Sequence, residues 1–350
     1  MPSGRSRRTN LVSHEFGLIR SLQTQVARLD RQVFKGIGDD AAILKTSTSE
    51  WTLITTDLLT EGIHFDPALS SFEDIGYRAA IANLSDIAAM GGTPRFMLVA
   101  IAIPPTCSTR QIQRLYRGIM QAGRPYRLSL VGGDTSASQR GLFLSITLTG
   151  IIKPGQALLR SGARIGDSLY VTGTLGDSHA GLGLLMQTEQ SGRASLKPRH
   201  RGFLLARHQR PSARVAEGQW LVKHGLATAA IDLSDGLSGD LRHLCEESHV
   251  GADIVEHSLP LSPACRAYAM AHHLDASHIV LQGGEDYELL FTVPLSQQPR
   301  FERLTAKTAF RFTCIGSIMP RRCGLRIRHA DGTATALANT SYEHFLRLSS

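Results

Sequence analysis

Changes in the period of apolar and polar positions mark the elements of this chain. Residues 15–25 set Phe16, Leu18, Ile19 and Leu22 on one side of a helical repeat. Short strand-like runs follow at 41–44 and 51–55, the second ending at Thr56-Asp57. Residues 72–90, rich in Ala, Ile and Leu, predict a helix that stops at Gly91-Gly92, with Pro94 just beyond. A strand at 96–103, a helix at 109–122 and strands at 129–131 and 142–152 complete a mixed α/β half. Lys153-Pro154-Gly155 reads as a junction. Beyond it the pattern predicts a strand at 168–172, a helix at 178–187, a polar loop at 190–200 and a helix at 215–224. A strand at 229–231, a helix at 236–248, an apolar run at 279–282 and a strand at 288–293 follow.

Length agrees with this division. A chain of 350 residues exceeds what one core usually organises, so two α/β domains of the α+β type are expected, at 14–152 and 153–350, behind a basic tail at 1–13. Hydrophobic residues make up 42% and charged residues 19%, an ordinary globular balance. The formal charge of +8 hints at a polyanionic partner, but 32 of the 38 cationic residues are Arg scattered along the chain, and aromatics are only 6%. A nucleic-acid-binding protein is therefore the weaker class, and no nucleic-acid partner is expected. The five cysteines form no CxxC pair, which points to a reduced, cytoplasmic setting. No apolar run approaches the ~18 residues of a membrane helix.

The informative residues are acidic. Aspartates recur where apolar runs meet Gly, Ser or Thr: Asp39 and Asp40 in GIGDDAAIL, Asp57 in TTDLL, Asp86 in NLSDIAAMGG, Asp134 in GGDTS. The second half adds Asp232 and Asp235 in IDLSDGLSGD, then Glu285 and Asp286 in GGEDYEL. A single Asp beside Gly is more often a turn or helix-capping residue, and Asp167 and Asp177 are read that way. The joint recurrence is different. Carboxylates converging on one cleft repel one another unless a cation offsets them, and an oxygen-only set without a His or Cys cluster favours Mg²⁺ over zinc. Walker A, GxGxxG, GxSxG and HExxH patterns are all absent.

The ordered set GIGDDAAIL, TTDLLTEGIHF, NLSDIAAMGG, VGGDTS, LRSGARIGD, DLSDGL and GGEDYEL resembles the thiamine-monophosphate kinase family. That family shares a superfamily with aminoimidazole ribonucleotide synthetase, selenophosphate synthetase and the hydrogenase-maturation dehydratase. The resemblance runs from about Glu15 to Phe345. It implies an N-terminal α/β domain whose sheet pairs across a homodimer, a C-terminal α/β domain, and transfer of the ATP γ-phosphoryl group to thiamine monophosphate. It implies Mg²⁺ ligands at Asp40, Thr55, Thr56, Asp57, Asp86, Asp134, Asp232 and Asp235. ATP contacts are implied at Gly133, Asp134, Arg160 and Ser234, with Tyr116 stacking on adenine; His64, Glu285 and Tyr342 would contact thiamine monophosphate. TTD stands where Ser-Thr-Asp is common, and Tyr342 where a Trp can stand.

The chemistry agrees with these positions. The two substrates bring about six negative charges together, so cations must screen them. Phosphoryl transfer then needs mainly positioning and charge stabilisation. An ionised acceptor oxygen needs no general base, so no side chain is assigned as a catalytic base and transfer is expected to be direct. The first cysteine is Cys107 and the chain ends HFLRLSS, which disfavours the selenophosphate and hydrogenase-maturation chemistries. Aminoimidazole ribonucleotide synthetase is the remaining enzyme alternative.

Overall fold

The computed structural model describes residues 15–26, 30–187, 196–338 and 341–342. The expected tail at 1–13, most of the expected loop at 190–200 and the segment beyond Tyr342 lie outside the described residues. The first half runs α1 (Glu15–Gln25), β1 (Val33–Lys35), β2 (Ala42–Leu44), β3 (Trp51–Thr60), α2 (Phe72–Ala89), β4 (Thr93–Ile103), α3 (Thr109–Gly123), β5 (Ser129–Ala137) and β6 (Phe143–Ile152). Its strands form a 6-stranded sheet in the order β1-β2-β3-β6-β4-β5. Among the described residues of this sheet only the β4–β5 pair is parallel.

Period-two alternation builds this sheet. In β6, Leu144, Ile146, Leu148, Gly150 and Ile152 are buried and the residues between them are half-buried. The buried face packs on α2, whose Ile75, Ala79, Leu84 and Ile87 join the same core. Ser71 caps α2 by accepting from the Asp74 amide at 3.2 Å, and Ser108 forms a capping box with Gln111 on α3. The two helices cross closely at glycine. A Cβ on Gly118 would lie 1.8 Å from the Glu73 carbonyl oxygen, and one on Gly76 2.0 Å from that of Leu115.

The second half runs β7 (Ser168–Thr172), α4 (Asp177–Met186), α5 (Pro198–Gln209), α6 (Val215–His224), β8 (Ala229–Leu233), α7 (Leu237–Ser248), β9 (Gly251–Val255), α8 (Pro263–Ala271) and α9 (Ala276–Gln282). It ends with β10 (Glu288–Val293), α10 (Gln298–Thr305), β11 (Phe312–Met319), β12 (Leu325–Arg328) and β13 (Ala334–Ala336). A 7-stranded sheet in the order β13-β12-β9-β11-β7-β10-β8 results. Every residue of β7, β8 and β10 is buried, because the sheet is covered on both faces. Leu169, Val171, Ile231 and Leu233 pack with Leu237, Leu241 and Leu244 of α7. Tyr170, Ala230, Leu289 and Phe291, from the same three strands, join the core that holds α2 and α6. That shared core sets β8 beside the C-terminal end of α2. Among the described residues no helix is long and apolar enough to cross a membrane.

Several expectations change. The strand expected at 51–55 continues to Thr60, so Thr55, Thr56 and Asp57 lie inside β3 and not at its end. The strand expected at 129–131 extends through GGDTS to Ala137, where an exposed edge supplies no hydrophobic signal. The loop expected up to residue 200 gives way to α5 at Pro198, a proline suited to a first helical turn. Residues 279–282 close α9.

Candidate active site

Alternation along β3 turns Leu53, Thr55 and Leu59 into the core and leaves Thr56 and Leu58 exposed on the opposite face. Asp57 shares the face of Thr55. On α2, Asp86 lies in the last turn and accepts a short hydrogen bond from Thr55 Oγ1. The preceding residue, Ser85, donates from Oγ to Asp232 Oδ2 on β8 at 2.7 Å. Asp40 arrives from the turn before β2. Carboxylate oxygens of Asp40, Asp86 and Asp232 all lie within 4.8 Å of one another.

Backbone contacts bring further motif residues to the same end of β8. Asp240 Oδ2 accepts from the amides of Asp235 at 3.2 Å and Gly236 at 3.1 Å, fixing the turn into α7. Gly236 has φ +115°, and a Cβ there would meet the Gln282 backbone at 2.9 Å, so glycine is required. The Glu285 amide donates to the Ser234 carbonyl at 2.7 Å, and the Tyr287 amide to that of Leu233 at 2.9 Å. The Tyr342 amide donates to the Asp235 carbonyl at 3.3 Å. Ser234, Asp235, Glu285 and Tyr342 are thereby gathered beside the carboxylate cluster.

Arg160 supplies a cation at the cluster. Its Nε and Nη2 donate to Asp40 Oδ1 at 3.0 and 2.6 Å, and its amide donates to Asp39 Oδ1 at 3.2 Å. Lys35 Nζ is 3.5 Å from Asp39 Oδ2. This does not offset the crowding. Burial first, then Asp40, raises Asp232 to about 8. Burial and Asp40 raise Asp39 to about 7, against Lys35 and Arg160. Burial and Asp235 raise Asp57 to about 6; burial and then Glu15 raise Asp235 to about 6. Asp86 is pushed well above the usual carboxylate range by burial, then by Asp57, Asp232 and Asp40. Oδ2 of Asp40 and Oδ2 of Asp57 are buried with no hydrogen-bond partner among the described residues. An all-oxygen set with unpartnered buried acceptors and excess negative charge fits a hard divalent cation.

A pH dependence follows. Carboxyls raised in the folded state favour its protonated form. Their stabilising contribution is fully present below the ordinary value of 3.8 and is lost as pH rises through folded values of about 6 to 8. In EDTA the melting temperature should therefore fall as pH is raised across that window, and saturating Mg²⁺ should remove most of the fall. A metal-free profile that rises with pH contradicts this electrostatic reading.

The expected site residues divide in two. Asp40, Thr55, Asp57, Asp86, Asp232 and Asp235 converge, with Arg160, Ser234, Glu285 and Tyr342 at their margin. His64 joins them through Arg78, as given below. Thr56, Gly133, Asp134 and Tyr116 stand apart. Thr56 Oγ1 accepts from Thr147 Oγ1 at 3.1 Å on the open face of the first sheet. Gly133 and Asp134 pair with Val99 and Ala100 on exposed edge strand β5, where Asp134 Oδ1 accepts the Thr135 amide at 2.9 Å. Tyr116 is half-buried on α3 and packs on the first core. Asp167 is a turn residue as expected, its Oδ2 accepting from the Arg164 amide. Asp177 differs from the expectation: Gly176 holds the cap position of α4, and Asp177 is a fully buried first-turn residue whose carboxylate accepts from the hydroxyls of Ser262 and Thr174.

Sequence reading missed Arg78, which is 3% exposed on α2. It donates to the His64 carbonyl, lies 2.7 Å from His208 Nε2 and 3.5 Å from Glu285 Oε2. Its signal was present: an arginine inside the Ala- and Ile-rich run that also carries Ser85 and Asp86. Asp240 could have been found as the third carboxylate of IDLSDGLSGD, whereas His208 lies in no motif.

Comparison with known proteins matches residues 38–152 to the family model "AIR synthase related protein, N-terminal domain" and residues 164–322 to the corresponding C-terminal domain. The chain is 35% identical over 331 residues to the thiamine-monophosphate kinase of Bacillus subtilis, covering 95% of this chain and 99% of that protein. With the Escherichia coli K12 enzyme of the same name it shares 37% over 339 residues, covering 96% and 97%. A solved structure described as AaThiL complexed with AMPPCP and TMP superposes with a TM-score of 0.81 at 34% identity, covering 95% of this chain and 97% of that one. Full-length identity, both domain models and the matched two-domain architecture agree: this chain belongs to the thiamine-monophosphate kinase family.

Proposed function

We propose that this chain transfers the γ-phosphoryl group of ATP directly to the phosphate of thiamine monophosphate, giving ADP and thiamine diphosphate, with Mg²⁺ held by its aspartates. The observation that carries the reading is the convergence of Asp40, Asp86 and Asp232 in a chain 35% identical over 331 residues to a thiamine-monophosphate kinase. Asp40, Thr55, Asp57, Asp86, Asp232 and Asp235 would hold the ions. Bound Mg²⁺ supplies charge screening and polarisation of phosphate oxygens. Arg160, steered by Asp39 and Asp40, offers a fixed positive fork to a donor phosphate. Ser234 borders the same site, and Gly133 and Tyr116 are further proposed ATP contacts. His64, Glu285 and Tyr342 bind the acceptor, Glu285 facing its cationic or amino part and Tyr342 a ring. The acceptor oxygen is ionised at neutral pH, so the protein orients two phosphates and removes no proton.

The functional unit we propose is a homodimer. Among the described residues the first sheet leaves its outer face open, with Leu58 56%, Phe96 50% and Val131 57% exposed, and ends in edge strand β5. An apolar open face beside a free edge favours pairing with a second copy. Such pairing would cover Thr56 and Asp134, the two proposed metal ligands that lie away from the cluster. The five free cysteines fit a reducing cytoplasm.

A coupled assay tests the reaction. ADP release should require thiamine monophosphate, cease in EDTA and return with Mg²⁺. ADP release that is independent of the acceptor, or that persists in EDTA, contradicts the reading.

A further inference from the structure

Arg78 and His208 are buried polar side chains that the reaction itself does not require. Arg78 is 3% and His208 2% exposed. Arg78 joins two segments distant in sequence: Nη2 donates to the carbonyl of His64, and Nη1 lies 3.5 Å from Glu285 Oε2. Nη1 also lies 2.7 Å from His208 Nε2. A guanidinium only donates, so His208 Nε2 must accept, and the ring proton must sit on Nδ1. Nδ1 in turn faces Ser178 Oγ at 3.0 Å and Glu285 Oε2 at 3.5 Å. The tautomer is thus dictated by its neighbours. A second proton on Nε2 would point at Arg78, and burial, Arg78 and His179 accordingly hold His208 down at about 3.

The network is anchored on rigid elements. Arg78 stands on α2, eight residues before Asp86. His208 lies in the last turn of α5 and Ser178 in the first turn of α4. The Ser178 amide donates to Asp286 Oδ1 at 3.1 Å, and the Gly176 amide donates to Asp286 Oδ2 at 2.5 Å. Glu285 sits at φ +64°, a backbone state that a glutamate seldom adopts without such restraint. Among the described residues both side-chain contacts engage its Oε2, which leaves Oε1 as the oxygen offered to a ligand.

We propose that Arg78 and His208 are positioning residues for the acceptor substrate: Arg78 ties the His64 segment to Glu285, and His208, as its Nδ1–H tautomer, orients the guanidinium. The assignment rests on the reading of His64 and Glu285 as contacts for thiamine monophosphate. The donor side is held separately, through Arg160, Asp39 and Asp40. Disturbing Arg78 therefore weakens acceptor binding and leaves ATP binding intact. Glutamine can replace both functions of this histidine, since its amide accepts and donates; leucine can do neither.

Steady-state kinetics on the full chain, varying ATP and thiamine monophosphate separately at saturating Mg²⁺, read this split. His208→Leu should raise KM for thiamine monophosphate about tenfold or more with KM for ATP within about twofold, and His208→Gln should recover most of the loss. Arg78→Lys, which keeps the charge but cannot span both partners, should show the same selective rise. It carries the test if the leucine variant does not fold. Unchanged KM for thiamine monophosphate in the folded variants, or an equal rise for ATP, overturns the proposal. His64→Ala and Glu285→Gln locate the fault. If they raise that KM while Arg78 and His208 variants do not, positioning alone fails; if they also leave it unchanged, the acceptor-site reading fails.

Discussion

Replacing Asp86 with asparagine is expected to lower phosphoryl transfer on the order of 10³-fold, as loss of a group stabilising transition-state charge does elsewhere. The same substitution should raise the melting temperature of the metal-free protein by a few degrees. Asp86 is half-buried among Asp57, Asp232 and Asp40, each of which disfavours its ionised form. Asparagine has nearly the same shape and can still accept the hydrogen bond from Thr55 Oγ1, so packing is retained while a repelling charge is removed. Opposite signs in the two measurements separate this effect from misfolding, which would lower both. The expected pair is lost turnover at saturating substrates and a higher melting temperature in EDTA. Near-parental activity, or a metal-free variant less stable than its parent, contradicts a site built to hold cations.

The largest expected loss of stability lies elsewhere in the GGEDYEL motif. Glu288 is completely buried on β10. Its carboxylate accepts from Arg207 Nη2 at 2.8 Å, from Arg214 Nε at 2.6 Å and Nη2 at 2.5 Å, and from Thr172 Oγ1 at 2.5 Å. Alanine there would leave two largely buried guanidinium groups without their shared partner. Breaking a buried ion pair from one side costs about 3–5 kcal/mol, because the remaining charge stays desolvated. Glu288→Ala should therefore shift the denaturant midpoint strongly downward, with glutamine in between. A change below about 1 kcal/mol would mean that solvent or rearranged neighbours relieve both arginines.

These two residues show how far the sequence could be read. Asp86 was legible because α2 is an uninterrupted Ala- and Ile-rich helix, capped by Ser71 and ending at Gly91-Gly92, so a carboxylate in its last turn stands out. The strand at 168–172 and the helix at 215–224 were equally plain, since local composition and burial agree there. Glu288 was hidden. It opens a mostly apolar strand, and its partners come from β7, α5 and the residue before α6, contacts between residues 74 to 116 apart in sequence. β5 was underestimated because an open edge needs no apolar alternation. The extra length of β3 matters more. It puts Thr55 and Asp57 on one face and Thr56 on the other, so a motif read as one ligand set is split by the pleat. His208 and Arg78 could not be joined without the fold, because 130 residues separate them.

Phosphorus NMR of the chain mixed with ATP, thiamine monophosphate and Mg²⁺ tests the central claim most directly, with the Asp86→Asn variant alongside. The parent chain should convert the two substrates into ADP and thiamine diphosphate in equal amounts, without accumulating inorganic phosphate, and the variant should leave both substrates standing. Inorganic phosphate as the main product, or equal turnover by parent and variant, would contradict metal-assisted transfer at this carboxylate cluster.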